Sequence, residues 1–293
     1  MKARYVNPYT DFGFKKLFGE EANKDLLIDF LNQLLPAKHL IKELTFRNSE
    51  KMGELALERK AIFDIYCQSV TGERFIVEMQ QAKIKNFKDR ALFYTTFPIK
   101  EQAPRGPWYF KLDAIYYIAI LDFYYDVDEE KAKLRRDVEL KDQDCELFFE
   151  KLKYIFLQMP AFKKTEAELK THYDKWLYFL KNLEDFDEIP AILKEPIFEK
   201  AFEVAEIANF NKKELDAYER SLMTFRDWYS IMTTAIEEGE EKGMEKGMEK
   251  GKEKKNIEVI LKSHEAGIDI ETISRITGTS EEEINRIIKE KPQ

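Results

Sequence analysis

Apolar residues recur at helical spacing over residues 11–35, at Leu17, Phe18, Leu26, Leu27, Phe30, Leu31, Leu34 and Leu35, and Pro36 follows as a stop. Gly19 divides that helix into two pieces, and a short strand is expected near residues 44–47. Two clearer strands come next, AIFDIYC at 61–67 and RFIVEMQ at 74–80, joined through a turn marked by Gly72. After Asn86 the helical period returns with Phe87, Ala91, Phe93, Tyr94 and Phe97 as far as Pro98, and QAPRGP at 102–107 links onward. LDAIYYIAIL at 112–121 has the unbroken apolar character of a strand buried on both faces. Further strands are expected near 135–140 and 153–158, and beyond Thr165 the chain is mostly helix.

The hairpin carries the chemistry. Successive residues of a strand point to opposite faces, so Glu78 and Gln80 project together from an otherwise apolar run. If Val70, Thr71 and Gly72 form the loop, glycine takes the position that needs positive φ, and Ser69 pairs with Glu73. Counting back sets Asp64 opposite Glu78 and Ile62 opposite Gln80. The other face pairs Phe63 with Met79, Ile65 with Val77 and Cys67 with Phe75, an apolar layer for helices to cover. A loop one residue shorter or longer would turn Asp64 to the wrong side. The face of Asp64, Glu78 and Gln80, framed by Ile62, Tyr66 and Ile76, is then either the solvated edge of a sheet or a site.

Two carboxylates converging among apolar neighbours repel unless something positive lies between them. A hard divalent cation, Mg²⁺ or Mn²⁺ or Ca²⁺, suits such all-oxygen ligands, and with it the chemistry of phosphodiester hydrolysis. Composition allows this without demanding it. The 293 residues carry a formal charge of −8, which does not advertise a nucleic-acid binder, yet Lys83, Lys85, Lys88, Arg90, Lys100, Arg105 and Lys111 face only Asp89 and Glu101 between positions 83 and 111. Arg90 and Tyr94, four apart, share one helix face after the second strand.

Other chemistries find no support. Cys67 and Cys145 make neither a disulfide framework nor a zinc spacing. His39, His172 and His264 are isolated from one another and from the acids, and no phosphate-binding glycine loop occurs. The N-terminus lacks the apolar core of a signal peptide and no apolar run reaches the length of a membrane span, so a cytoplasmic protein with no membrane partner is expected.

The tail changes character. EEGEEKGMEKGMEKGKEKK at 237–255 sets Gly239, Gly243, Gly247 and Gly251 in a four-residue repeat. Each glycine costs a helix about 1 kcal/mol relative to alanine, so a flexible tether is favoured over a marginal charged helix. From 256 onward three short helices with glycine turns are compatible with a helix-turn-helix, Ser280 and Glu283 standing at capping-box spacing. The segment is not basic, and a packing or dimerisation module reads as well as a DNA reader.

The order αβββαβ, with an Asp on one central strand and a Glu-x-Gln triplet on the next, resembles the PD-(D/E)XK nuclease superfamily. TDFGFKKLFG at 10–19, Phe63-Asp64, TGERFIVEMQ at 71–80, RALFY at 90–94 and DAIYYIAILDF at 113–123 are similar to its Rpn branch of recombination-promoting, transposase-like nucleases. The resemblance implies an α/β restriction-endonuclease-like core with a mainly helical C-terminal region, and metal-dependent endonucleolytic cleavage of DNA linked to recombination, mobile elements or phage defence. It assigns Asp64 and Glu78 to the metal and Gln80 to the place of the superfamily's catalytic lysine. It also matches Asp11 to an N-terminal acid that binds metal or positions Lys15, with helix capping as the plainer role. Lys15, Arg90 and Tyr94 would meet substrate. Glutamine offers only a neutral donor and acceptor where lysine would carry charge, so slow or conditional cleavage is expected. The contrary expectation is an inactive nuclease fold that binds nucleic acid or protein. The corresponding division is a nuclease-like core at 1–125, a core extension at 126–236, the glycine-repeat segment at 237–255 and a helical module at 256–293, with a homodimer formed through the C-terminal region.

Overall fold

The computed structural model describes residues 3–36, 40–47, 50–51, 61–82, 85–103, 106, 109–126 and 131–290. His39, Lys83 and residues 104, 105 and 107 of the 102–107 linker, Arg105 among them, lie outside the described residues. Two compact units are separable, Met1–Thr224 and Phe225–Gln293.

The first unit is built on a mixed six-stranded sheet. Its strands are β1 (Leu44–Phe46), β4 (Ile65–Ser69), β5 (Arg74–Gln80), β6 (Ile115–Leu121), β8 (Leu147–Gln158) and β7 (Arg135–Lys141), in that spatial order. β5–β6 and β6–β8 pair parallel and the remaining neighbours antiparallel. A separate two-stranded ribbon joins β2 (Glu50–Lys51) to β3 (Ala61–Ile62). With α1 (Asp11–Phe18) in front and α3 (Phe87–Glu101) between β5 and β6, the main sheet reproduces the αβββαβ order, and β7 and β8 extend the same sheet beyond β6.

Both central strands, β5 and β6, are buried along their whole length. α3 covers the face that carries Tyr66, Ile76, Tyr117 and Ala119, contributing Phe87, Ala91, Tyr94 and Phe97 to that core. α1 stops at Gly19 as the glycine suggests, α2 (Lys24–Asn32) follows, and both pack with α4 (His172–Asn182) and α5 (Pro196–Ala205) through Phe18, Phe30, Trp176 and Phe198. α3 continues one turn past Pro98 to Glu101, because a proline that close to the helix end removes a single donor.

α6 runs from Lys212 to Glu265, so residues 237–255 are helical where a tether is favoured from the glycine count. In the second unit α7 (Ile270–Thr277) and α8 (Glu281–Lys289) are capped by Asp269 and Ser280, and Ile260, Ile273 and Ile284 form their core with the end of α6. No described helix is long and apolar enough to cross a membrane.

Candidate active site

Geometry at the site starts from the hairpin. Gly72 has φ +104°, and Ser69 and Glu73 close the loop with a backbone bond of 2.9 Å from the Ser69 N–H. The register follows as counted: Ile65 faces Val77, Tyr66 faces Ile76, Cys67 faces Phe75. The ladder then stops. The N–H of Met79, which the next antiparallel rung would hand to a backbone carbonyl, donates instead to Asp64 Oδ2 at 2.8 Å.

This interruption corrects two expectations. Ile62 pairs with Glu50 in the β2–β3 ribbon and not with Gln80. Phe63 does not join Met79. It packs with Tyr66 and with Tyr94 of α3, ring centroids 5.5 and 5.2 Å apart, on the face of the acids. A chain that bends at Asp64 loses the strict alternation on which the expected placement of Phe63 rests.

Glu78 is fully buried. Its Oε2 accepts from the Gln80 side-chain amide at 2.9 Å and from Arg90 at 3.5 Å, while Oε1 lies 3.4 Å from the Asp64 N–H. The Arg90 guanidinium sits 4.9 Å from the Tyr94 ring centroid, and its buried Nε has no partner. Asp64, Glu78, Gln80, Arg90 and Tyr94 are therefore one cluster.

Asp11 and Lys15 stand at its margin. They pair with each other at 2.7 Å and are both substantially exposed, and the cap of α1 is Thr10, whose hydroxyl accepts from the Gly13 N–H at 3.0 Å, rather than Asp11. Gly13 permits the tight approach of this turn, since a Cβ there would lie 2.2 Å from the Asn7 carbonyl oxygen. The side chain of Gln81 donates to the Tyr9 carbonyl and ties the end of β5 to the entry of α1. Among the described residues no three His, Cys, Asp or Glu side chains converge.

Electrostatics sharpen the picture. Burial pushes the Glu78 carboxyl up to about 8, and the charge of Asp64 adds to it; Arg90, the Asp64 N–H and the Gln80 amide pull the other way. Asp64 is raised as well, by burial first and by Asp11, against the Met79 N–H, Lys15 and Arg90. Two neighbouring acids, one of them fully buried, disfavour a double negative charge. The donor set fits a hard divalent cation, which would relieve both groups at once.

Tyr117 is a buried neighbour of the cluster that periodicity alone does not reveal. It is buried on β6 next to Ile76, and the charges of Glu78 and Asp64 help to raise its hydroxyl well above the ordinary tyrosine value, after burial itself. The alternation of IYYIAIL would have pointed to it once β6 was known to run parallel beside β5. Asp122, pushed up to about 6 by burial, is influenced by Lys181 and itself acts on Tyr9.

A family model described as PD-(D/E)XK nuclease family transposase matches residues 8–235. The chain belongs to that family. The matched segment contains both acids, the hairpin between them and α3, and membership in a PD-(D/E)XK nuclease family supports a nuclease-type function. No curated protein and no solved structure gives a significant match.

Proposed function

We propose that this protein is a divalent-metal-dependent DNA endonuclease in which Asp64 and Glu78 hold the cation. The observation that carries the reading is the convergence of two acids, Glu78 fully buried on β5 and Asp64 half-buried at the bend before β4, each pushed toward its protonated form, with Glu78 Oε1 3.4 Å from the Asp64 N–H. When bound, Mg²⁺ or Mn²⁺ supplies Lewis-acid stabilisation of a phosphate oxygen and a more acidic water.

The chain's own groups have separable tasks. The Met79 N–H fixes one oxygen of Asp64 and leaves the other for a ligand. Gln80 holds Glu78 Oε2 and orients its carboxylate without adding charge. Arg90, stacked on Tyr94, lies 3.5 Å from Glu78 Oε2, offsets the Glu78 charge when that group ionises, and is a donor for a backbone phosphate once Glu78 is engaged elsewhere. Lys85 and Lys88, exposed at the start of α3, extend positive charge outward from it.

A second reading has one observation in its favour. Gln80 and Arg90 already satisfy Oε2, so a metal-free, non-cleaving fold that only binds nucleic acid or protein is self-consistent. Plasmid nicking separates the two. The nuclease reading expects conversion of supercoiled to open-circular DNA in Mg²⁺ or Mn²⁺, lost in Asp64→Ala with the circular dichroism spectrum unchanged. Retention of DNA without nicking in any of Mg²⁺, Mn²⁺ or Ca²⁺, or equal nicking by Asp64→Ala, would overturn it.

A further inference from the structure

One apolar surface in the second unit has no partner among the described residues. Along α6, Phe225, Tyr229, Met232, Ile236, Gly239 and Gly243 succeed one another at alternating steps of four and three residues, the spacing of a two-stranded seam. Tyr229 and Ile236 are more than half exposed, Phe225 and Met232 are partly open, and a Cβ at Gly239 or Gly243 would meet no atom. Phe225 and Tyr229 stack on each other at 6.3 Å, so their rings already lie side by side along the seam. The stretch that follows is charged on every side and rich in glycine, which suits a solitary helix poorly.

We infer that α6 pairs with α6 of a second copy of this chain, antiparallel, about a two-fold axis level with Thr234. Large then meets small in the outer layers, and two aliphatic side chains meet at the centre. Phe225 covers the notch at the partner's Gly243, Tyr229 covers the partner's Gly239, and Met232 abuts the partner's Ile236. The flanks agree: Arg226 meets the partner's Glu240 on one side and Trp228 meets the partner's Lys242 on the other, an ion pair and a cation–aromatic contact. Thr233 and Ala235 each face their own counterparts.

A parallel pair does none of this. It stacks glycine on glycine, leaves the aromatic layers opposite each other, and sets Trp228 against threonine and Ala235 against glutamate. The charge pattern and the alternation of ring and notch therefore select direction as well as partner. Glycine in this repeat serves close approach between two helices, with the aromatic residues upstream as the knobs that fill it.

The test uses the full chain. Light scattering at tens of micromolar should give twice the 34.8 kDa chain mass. Gly239→Leu with Gly243→Leu should halve that mass while helicity by circular dichroism stays level or rises, because leucine favours the lone helix and blocks the notches. In a Cys145→Ser background, which leaves only the buried Cys67, Thr233→Cys should form an intermolecular disulfide at least tenfold faster than Glu240→Cys. A single-chain mass for the unaltered protein, a double-leucine variant that remains a dimer, or cross-linking at Glu240→Cys as fast as at Thr233→Cys would each overturn the inference.

Discussion

Replacing Glu78 by glutamine should stabilise the folded protein, and the gain should grow with pH. Glu78 is buried without exposure, and its carboxyl is pushed up to about 8 from an ordinary 4.5. An acid raised in the folded state favours folding fully only below its unfolded value, and that contribution is lost as pH climbs toward the folded one. At pH 7 the unfolded chain ionises Glu78 while the folded chain largely keeps its proton. At about 1.4 kcal/mol for each pH unit above the ordinary value, the cost comes to roughly 3 kcal/mol. Glutamine keeps the shape and the contact with Gln80 and carries no charge. Urea unfolding in chelator should therefore find Glu78→Gln more stable than the unaltered chain by under about 1 kcal/mol at pH 5, by roughly 3 kcal/mol at pH 7 and by roughly 4 kcal/mol at pH 8. Mn²⁺ should stabilise only the unaltered chain. A difference that stays flat between pH 5 and pH 8, or a variant less stable at pH 8, would refute the reasoning.

Two further outcomes follow from the same cluster. Arg90→Gln removes the only cation within reach of Glu78 among the described residues, so it should destabilise the metal-free protein at pH 8 by about 1 to 3 kcal/mol, the upper end discounted because a third of Arg90 reaches solvent; the loss should vanish at pH 5 and in a Glu78→Gln background. Gln80→Lys restores a charged donor beside Glu78 and should speed plasmid nicking in Mg²⁺ on the order of tenfold or more, whereas an unchanged or slower rate would show that the neutral amide is not what limits the reaction.

Local rules read the hairpin correctly. The loop at Val70–Gly72 has one glycine, one turn geometry satisfies it, and the register of β4 against β5 follows over Ile65 to Gln68. Phe63 and Ile62 were misplaced because a side chain competes for a backbone donor. The carboxylate of Asp64 takes the Met79 N–H, the strand bends, and β3 pairs with β2, none of which alternation can report. Of the two readings of the acid face, the solvated edge fails at Glu78, which is fully buried on the side that α3 covers. Tyr117 stayed hidden because a parallel neighbour is a long-range fact, set by the crossover through α3. The glycine repeat misled in the other direction: propensity argues against a helix at 237–255, yet α6 runs through it, as a helix supported by a second copy would.

The central claim is that Asp64 and Glu78 share one cation. Crystals soaked in Mn²⁺ and measured at its absorption edge test it most directly. The account predicts an anomalous peak between the two carboxylates, with ligand distances near 2.2 Å, roughly as oxygen donors give to ions of this size, and with Arg90 released from Glu78. A peak bound elsewhere in a protein that still nicks DNA, or no peak between the acids at saturating Mn²⁺, would contradict it.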